Sequence, residues 1–378
     1  MRARTLLVTI AVSSAIGAMG MTSAGAAVGD PGKADVVVAT ADDGMRAYFP
    51  DIVRLHDGEL LAVYRESTDH VAQDGRIMLV RSRDGGHHWS KPVVAVDSPL
   101  DERDPKITQL RDGTVLIDYF ISDWSITPNE SGREVAVVRS TDAGRHFSAP
   151  VRVGDWLHGT NPTSGWRASH GPILELPDGD LLAPVYAGWG SKPKSDAIVV
   201  RSTDGGRTWP ASSETVIASA DDIAFQEPVL TLLPDGQIVA FVRTDIGWGY
   251  VTRSYDNGRT WTAPQKTDIP ASSHHLLRLR SGAVLLTYGD LSKKYTTGRP
   301  TVGRIIVDPW KAWDDQPKYT HEQLLYDSGV NGGPTSDQAN PSSAEVAPGH
   351  YITLTYDTYK RQIVGVFSQL SDYIGSGS

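Results

Sequence analysis

Residues 82–89 (SRDGGHHW), 140–147 (STDAGRHF), 202–209 (STDGGRTW) and 254–261 (SYDNGRTW) share one pattern, S-x-D-x-G-x-x-aromatic. Each copy follows a short apolar run that ends in arginine, at Arg81, Arg139, Arg201 and Arg253. The pattern therefore sits where one strand turns into the next. The Asp side chain can accept turn amides, Gly supplies a positive φ, and the aromatic ring covers the turn. Four matches at regular spacing predict a repeat architecture.

A second repeat lies between these turns, at residues 50–64, 105–119, 171–185, 228–242, 274–288 and 341–355. Each reads as an apolar strand, a tight turn ending in Gly, and a second apolar strand, which is a hairpin. The turn glycines Gly58, Gly113, Gly179, Gly236, Gly282 and Gly349 recur 46 to 67 residues apart, a spacing suited to four-stranded propeller blades. Helical periodicity is essentially absent. The predicted fold is all-β, a six-bladed β-propeller with the repeated turns in its hairpins. Residues 362–369 (QIVGVFSQ) are expected to pair with residues 34–39 (ADVVVA), because closing the ring removes free sheet edges.

Length and composition narrow the class. Of the 378 residues, 1–26 read as a secretory signal peptide: a basic start, an apolar stretch and a small-residue cleavage site at Ala24-Gly25-Ala26. Residues 27–378 are then one domain, expected to be secreted and monomeric, with no membrane partner. The chain has no cysteine, so core burial alone must hold it, and thiolate chemistry is excluded. A net charge of −9 argues against nucleic acid. No phosphate loop or zinc spacing is present, so no cofactor or metal is expected.

The four quoted turns resemble the Asp-boxes of the sialidase-like β-propellers, and the matches with their flanking strands run from Arg46 to about Leu370. In that superfamily the boxes lie on the blade periphery, which implies that Asp84, Asp142, Asp204 and Asp256 lock turns and are not catalytic. The resemblance also implies a sugar site where the first strands converge. Aligning the hairpins places Tyr48, Phe49, Arg103, Asp104, His170, Glu227, Ser273 and Asn340 at the strand starts, and Arg65, Arg243 and Tyr356 at the ends of the second strands.

Sialidases hold a substrate carboxylate with three arginines, protonate with an Asp and attack with a Tyr activated by a Glu. Arg243, sixteen residues after Glu227, resembles the second arginine with its Glu partner, and Arg299 in GRPTVG resembles the third. Asp104-Pro105 is similar to the Asp-Pro pair opening blade two, and residues 65–69 (RESTD) look like the loop whose Asp donates the proton. Two departures stand out. Tyr48-Phe49-Pro50 replaces the first arginine's signature, and Asn340-Pro341 stands where the tyrosine should be presented, with Tyr356 the nearest substitute.

Glycosidic cleavage needs a protonated acid and a carboxylate. Asp69, Asp104 and Glu227 are the catalytic candidates, with Asp69 favoured as acid and Glu227 as base. Arg65, Arg243, Arg299, Tyr48, Arg103, His170, Trp166, Asn340 and Tyr356 are expected to bind substrate, and Trp124, Trp166, Trp189 and Trp248 to rim the mouth. The expected activity is hydrolysis of terminal sugars, acidic ones included, in extracellular glycans. The lost signatures also admit hydrolysis of arabinose-, rhamnose- or uronate-containing glycans, a polysaccharide lyase using His170 or Tyr48, or a lectin-like propeller without chemistry.

Overall fold

The computed structural model describes residues 30–126, 133–154, 165–189, 192–332 and 336–375; the leader expected over residues 1–26 lies outside them. Among the described residues, no helix is long and apolar enough to cross a membrane. Six antiparallel sheets follow one another as the blades of a propeller. Blades one (46–96), two (101–152), four (225–266) and five (271–326) are four-stranded meanders with the inner strand first. Around the axis the inner strand Arg46–Arg54 touches both Asp101–Gln109 and Ala339–Ala347. Blade three (166–218) breaks its inner strand into Trp166–Ser169 and Leu174–Glu175.

The strands read as apolar runs because blades stack on both faces of each sheet. Leu60–Ser67 is buried at all eight positions, as continuous apolar strands should be. The cores lie between blades: Leu61 and Val63 of blade one pack with Ile107, Val115 and Tyr119 of blade two. All six hairpin glycines adopt φ between 74° and 94°, a region other residues enter only with strain.

Each quoted turn folds the same way. Ser82 Oγ donates to Asp84 Oδ1 (2.9 Å) and accepts the Gly86 amide (2.9 Å), while Asp84 Oδ1 accepts the His88 amide (3.0 Å). Ser254, Asp256, Gly258 and Thr260 repeat the set. In the latter turn the hydroxyl and amide of Thr260 hold the Asp256 carboxyl down at about 2. These aspartates are turn locks between the third and outermost strands.

Arg81, Arg201 and Arg253, three of the arginines before the turns, reach the next blade. Arg81 donates to Glu59 of its own hairpin (3.3 Å) and to the Gly144 carbonyl in the turn of blade two (2.6 Å). Arg201 does the same with Asp180 (2.8 Å) and the Asn257 carbonyl of blade four. Blade five lacks the turn, yet Arg253 finds the Lys311 carbonyl there (2.7 Å), and the buried Trp313 stacks on Phe241 of blade four at 5.2 Å. The segment at 307–318 thus replaces both parts of the missing motif.

Closure follows the expected pairing. Val36–Thr40 forms the outermost strand of blade six, with Val36 opposite Gly365 and Thr40 opposite Gln362. The first strand thereby fastens the last blade. Near the axis, Asp51, Lys106 and Asp118 are buried to 1% exposure, and neither Asp118 oxygen has a hydrogen-bond partner among the described residues. Burial, reinforced by the Asp51 charge, pushes the Asp118 carboxyl well above its usual range, Lys106 opposing.

Two outcomes are expected. Truncation after Arg361, which removes the strand that Val36–Thr40 pairs with, should abolish cooperative unfolding; an unchanged calorimetric transition would contradict the ring-closure argument. Asp118 binds a proton in the folded state that the unfolded chain has already released, so its contribution to stability falls as pH rises above the ordinary Asp value. Asp118→Asn should therefore raise the melting temperature at pH 7, with the gain vanishing below about pH 4 where Asp is protonated in both states.

Candidate active site

A backbone device recurs where the inner strands begin. Phe49, Asp104, Glu227 and Asn340 have φ of 52°, 46°, 52° and 54°, and each precedes a proline. At these points the register with the second strand slips, between Tyr48/Asp51, Arg103/Lys106, Gln226/Val229 and Ala339/Ser342. Each is a bulge, which re-aims a side chain out of the ladder, and proline leaves no amide unpaired there. Holding four non-glycine residues left-handed costs on the order of 1–3 kcal/mol each, the kind of strain that collects at functional sites.

Two acids reach this mouth with opposite electrostatics. Arg243 Nη1 donates to Glu227 Oε1 at 2.6 Å. Burial opposes ionisation of Glu227, but Arg243, His170, His274 and Arg299 outweigh it and hold the carboxyl at about 2. Its Oε2 is buried without a hydrogen-bond partner among the described residues. Asp104 is pushed the other way: burial raises its carboxyl above the usual 3.8, Arg103 and Lys106 opposing and the Glu227 charge adding to the rise. Asn340 Nδ2 donates to Asp104 Oδ1 (3.2 Å), and Lys106 Nζ lies 3.5 Å from Asn340 Oδ1. The buried lysine thereby sets which end of the amide faces the acid.

A third carboxylate escaped the sequence alignment. Asp337 Oδ1 accepts from the Tyr356 hydroxyl and from His70 Nδ1, both at 2.9 Å. Burial raises the Asp337 carboxyl, but His70, Tyr356 and Arg299 together bring it below the usual range. Arg299 Nε donates to the Gln338 carbonyl (2.8 Å). Blades one, five and six meet at this point. The only hint in the sequence was position, three residues ahead of Asn340.

The candidates fall into two sets. Asp104, Glu227, Arg243, Arg299 and Asn340 are linked by hydrogen bonds and shared charge at the mouth, and Trp166 packs edge-on against Tyr186, which lies in the field of both acids. Asp69 is exposed on the rim, its Oδ1 capping the His70 amide at 2.7 Å. Arg65 corrects the expectation of a substrate contact: it is 0% exposed, with Nε on Asp101 Oδ1 at 2.7 Å and its carbon lying 5.3 Å from the Tyr48 ring centre. Arg103 shares Asp101 (3.0 Å) and is likewise buried. Tyr48, Tyr356 and His170 lie beneath the surface as well.

Burial first, then the charges of Asp337 and Asp69, drive the Tyr48 hydroxyl upward. Tyr356 is raised further by burial and Asp337, and burial holds His170 well below its normal value, Glu227 opposing. These three support the wall as neutral groups. Strand alignment locates a residue along a blade but not its depth, and the buried Asp101 that captures two arginines lies on the neighbouring blade. Trp248 carries Lys266 over its face at 4.6 Å.

A family profile for the BNR repeat-like domain matches residues 58–316, more than half of the chain. The protein belongs to the sialidase-like superfamily. A sialidase of Paraclostridium sordellii is 26% identical over 235 residues, 56% of this chain and 56% of that protein, so the chain matches little more than half the length of that relative. Among solved structures, a protein of unknown function from Dyadobacter fermentans superposes with a TM-score of 0.72 at 24% identity, covering 88% of this chain and 96% of that one. The NanB sialidase of Streptococcus pneumoniae gives 0.66 at 14% identity, covering 91% and 71%. These structural likenesses establish the propeller of the superfamily.

Within that propeller, Asn340 bonds Asp104 at the place where the resemblance implied a tyrosine. Lys106 is the cation behind this contact, and it lowers the proton affinity of Asp104. Lys106→Met should move the Asp104 titration to higher pH, read from its carboxyl carbon by NMR. An unmoved midpoint would show that the lysine does not act on this acid.

Proposed function

We propose that the protein is a secreted glycoside hydrolase that cleaves sugar residues from extracellular glycans, with Asp104 as the acid and Glu227 as the carboxylate partner. The observation that carries this reading is a pair of acids at one mouth whose proton affinities are driven apart by their surroundings, which is how one site runs acid and base chemistry together. Asp104 lies within the mouth and keeps its proton to higher pH than an ordinary aspartate, suiting it to protonate the leaving oxygen. Glu227 stays ionised, with Arg243 fixing one oxygen and the other unpartnered; it can activate water or meet the developing positive charge at the sugar carbon.

Arg243 and Arg299 are placed to hold carboxylate or hydroxyl groups of the sugar by forked hydrogen bonds. Asp69, exposed at the rim, is a loop contact in this reading. With Asn340 in place of the tyrosine, the chain's own second carboxylate takes the role that the superfamily gives to a Tyr-Glu pair. Lyase chemistry through His170 or Tyr48 finds no support, since both are buried to 1% exposure.

Incubation with a panel of aryl glycosides and polysaccharides should release sugar without forming an unsaturated, ultraviolet-absorbing product. Asp104→Asn and Glu227→Gln should each lower kcat by about 10²- to 10⁴-fold, the usual worth of a positioned proton donor or acceptor, while Asp69→Asn stays within tenfold of wild type. Loss of turnover in Asp69→Asn with Asp104→Asn still active would overturn the assignment. The active form needs Asp104 protonated and Glu227 ionised. The pH profile of kcat/KM should thus rise through about 2, where Glu227 ionises, and fall at a pH above 3.8 as Asp104 loses its proton. Activity undiminished to alkaline pH would exclude Asp104 as the acid.

A further inference from the structure

One wall of the mouth is built of alternating aromatic and guanidinium groups. The Arg103 guanidinium lies 5.4 Å from the ring centre of Phe49 and 5.5 Å from that of Trp124; the next, Arg133, lies 5.7 Å from Trp124 and 5.5 Å from Trp166. Trp166 meets Tyr186 edge-on at 5.5 Å, and Tyr186 lies in the fields of Glu227, Asp104 and Arg133. The ladder leads from blade two directly to the acid pair. Its first indole is rigid, because Trp124 Nε1 donates to the buried Asp101 Oδ2 at 2.8 Å.

The two arginines of this wall differ in what they hold. Arg103 is 5% exposed and engaged by Asp101 and the His70 carbonyl. Arg133 is partly exposed, forms no ion pair with a carboxylate among the described residues, and has a buried Nε without a hydrogen-bond partner. Stacking against two indoles stabilises its charge but leaves the planar donor edge unsatisfied. An anion would satisfy that edge with paired, charge-assisted hydrogen bonds, and the flanking indoles offer apolar faces on which a sugar ring can rest. In a chain of net charge −9, a guanidinium held between two tryptophans with no carboxylate partner among the described residues is a specific feature and not part of a general basic surface.

We propose that Arg133, Trp124 and Trp166 form a subsite for an anionic sugar, carboxylated or sulfated, adjoining the residue that is cleaved. The substrate is then an acidic oligosaccharide or polysaccharide, not a lone terminal sugar on a neutral chain. This deepens the glycosidase reading of the same mouth and rests on it for the word substrate; the binding itself can be measured separately.

The test is calorimetric titration of the full chain, as wild type and as Glu227→Gln, with three probes of matched length: oligogalacturonate, a sulfated carrageenan oligosaccharide and a neutral cello-oligosaccharide. At least one acidic probe should bind more tightly than the neutral one, and the arm that does so identifies carboxylate or sulfate as the anion. Arg133→Gln should weaken that binding about tenfold to a hundredfold, the range expected for losing a charge-assisted hydrogen bond. Arg133→Lys, which keeps the charge but not the fork, should fall between, and melting curves confirm that each variant is folded.

Equal affinity of Arg133→Gln and wild type for the acidic probes, or failure of both acidic probes to bind, would overturn the subsite. Arg133-dependent binding without any turnover would leave the subsite standing and remove the hydrolase reading. Turnover of acidic glycans that Arg133→Gln leaves unchanged would do the reverse.

Discussion

The close approach of neighbouring blades at the repeated turns is the contact on which the remaining structure depends. Gly86 sits against Ile352 of blade six, and Gly258 against Leu182 of blade three; an added Cβ would come within 2.8 Å and 2.6 Å of those methyl groups. Both glycines also have positive φ, 93° and 79°. The left-handed backbone favours glycine at both positions, and an added Cβ would also force those terminal methyl groups to shift. The arginine clasps of Arg81, Arg201 and Arg253 add direct hydrogen bonds across the same seams. With cores lying between sheets, no blade can bury its apolar faces alone, so each depends on its neighbours in the ring.

That ring gives the mouth its geometry. Six inner strands start around one axis, and bulges at four of those starts turn Phe49, Asp104, Glu227 and Asn340 out of their ladders. A rigid, interlocked scaffold can hold this strain where an isolated hairpin would relax it. Charged groups separated by more than a hundred residues, such as Asp104, Glu227 and Asp337, come to share one field because the blades that carry them are fixed in angle.

The electrostatics follow from burial and partners in combination. Glu227 and Asp104 are both withdrawn from water, yet Arg243 bonds one, while the other accepts from the amide of Asn340, with Arg103 and Lys106 acting on it as charges. The same contrast recurs in the core, where burial and the Asp51 charge raise Asp118. Arg65 and Arg103 illustrate the opposite case, two buried guanidiniums that share the carboxylate of Asp101.

Much of this was written in the sequence. The S-x-D-x-G-x-x-aromatic turns, the six hairpin glycines and the apolar runs between them specify blades, their number and the pairing of the chain ends, because each rests on local backbone chemistry and strand period. Residue alignment also singled out Asp104, Glu227, Arg243 and Asn340. What the linear order could not carry was depth and partnership across blades: that Arg65 lies under Tyr48 on Asp101, that Tyr356 and His70 converge on Asp337, and that Arg133 stands between two tryptophans. Those relations arise only when separate sheets are packed about an axis, since they depend on distances between side chains that no local rule connects.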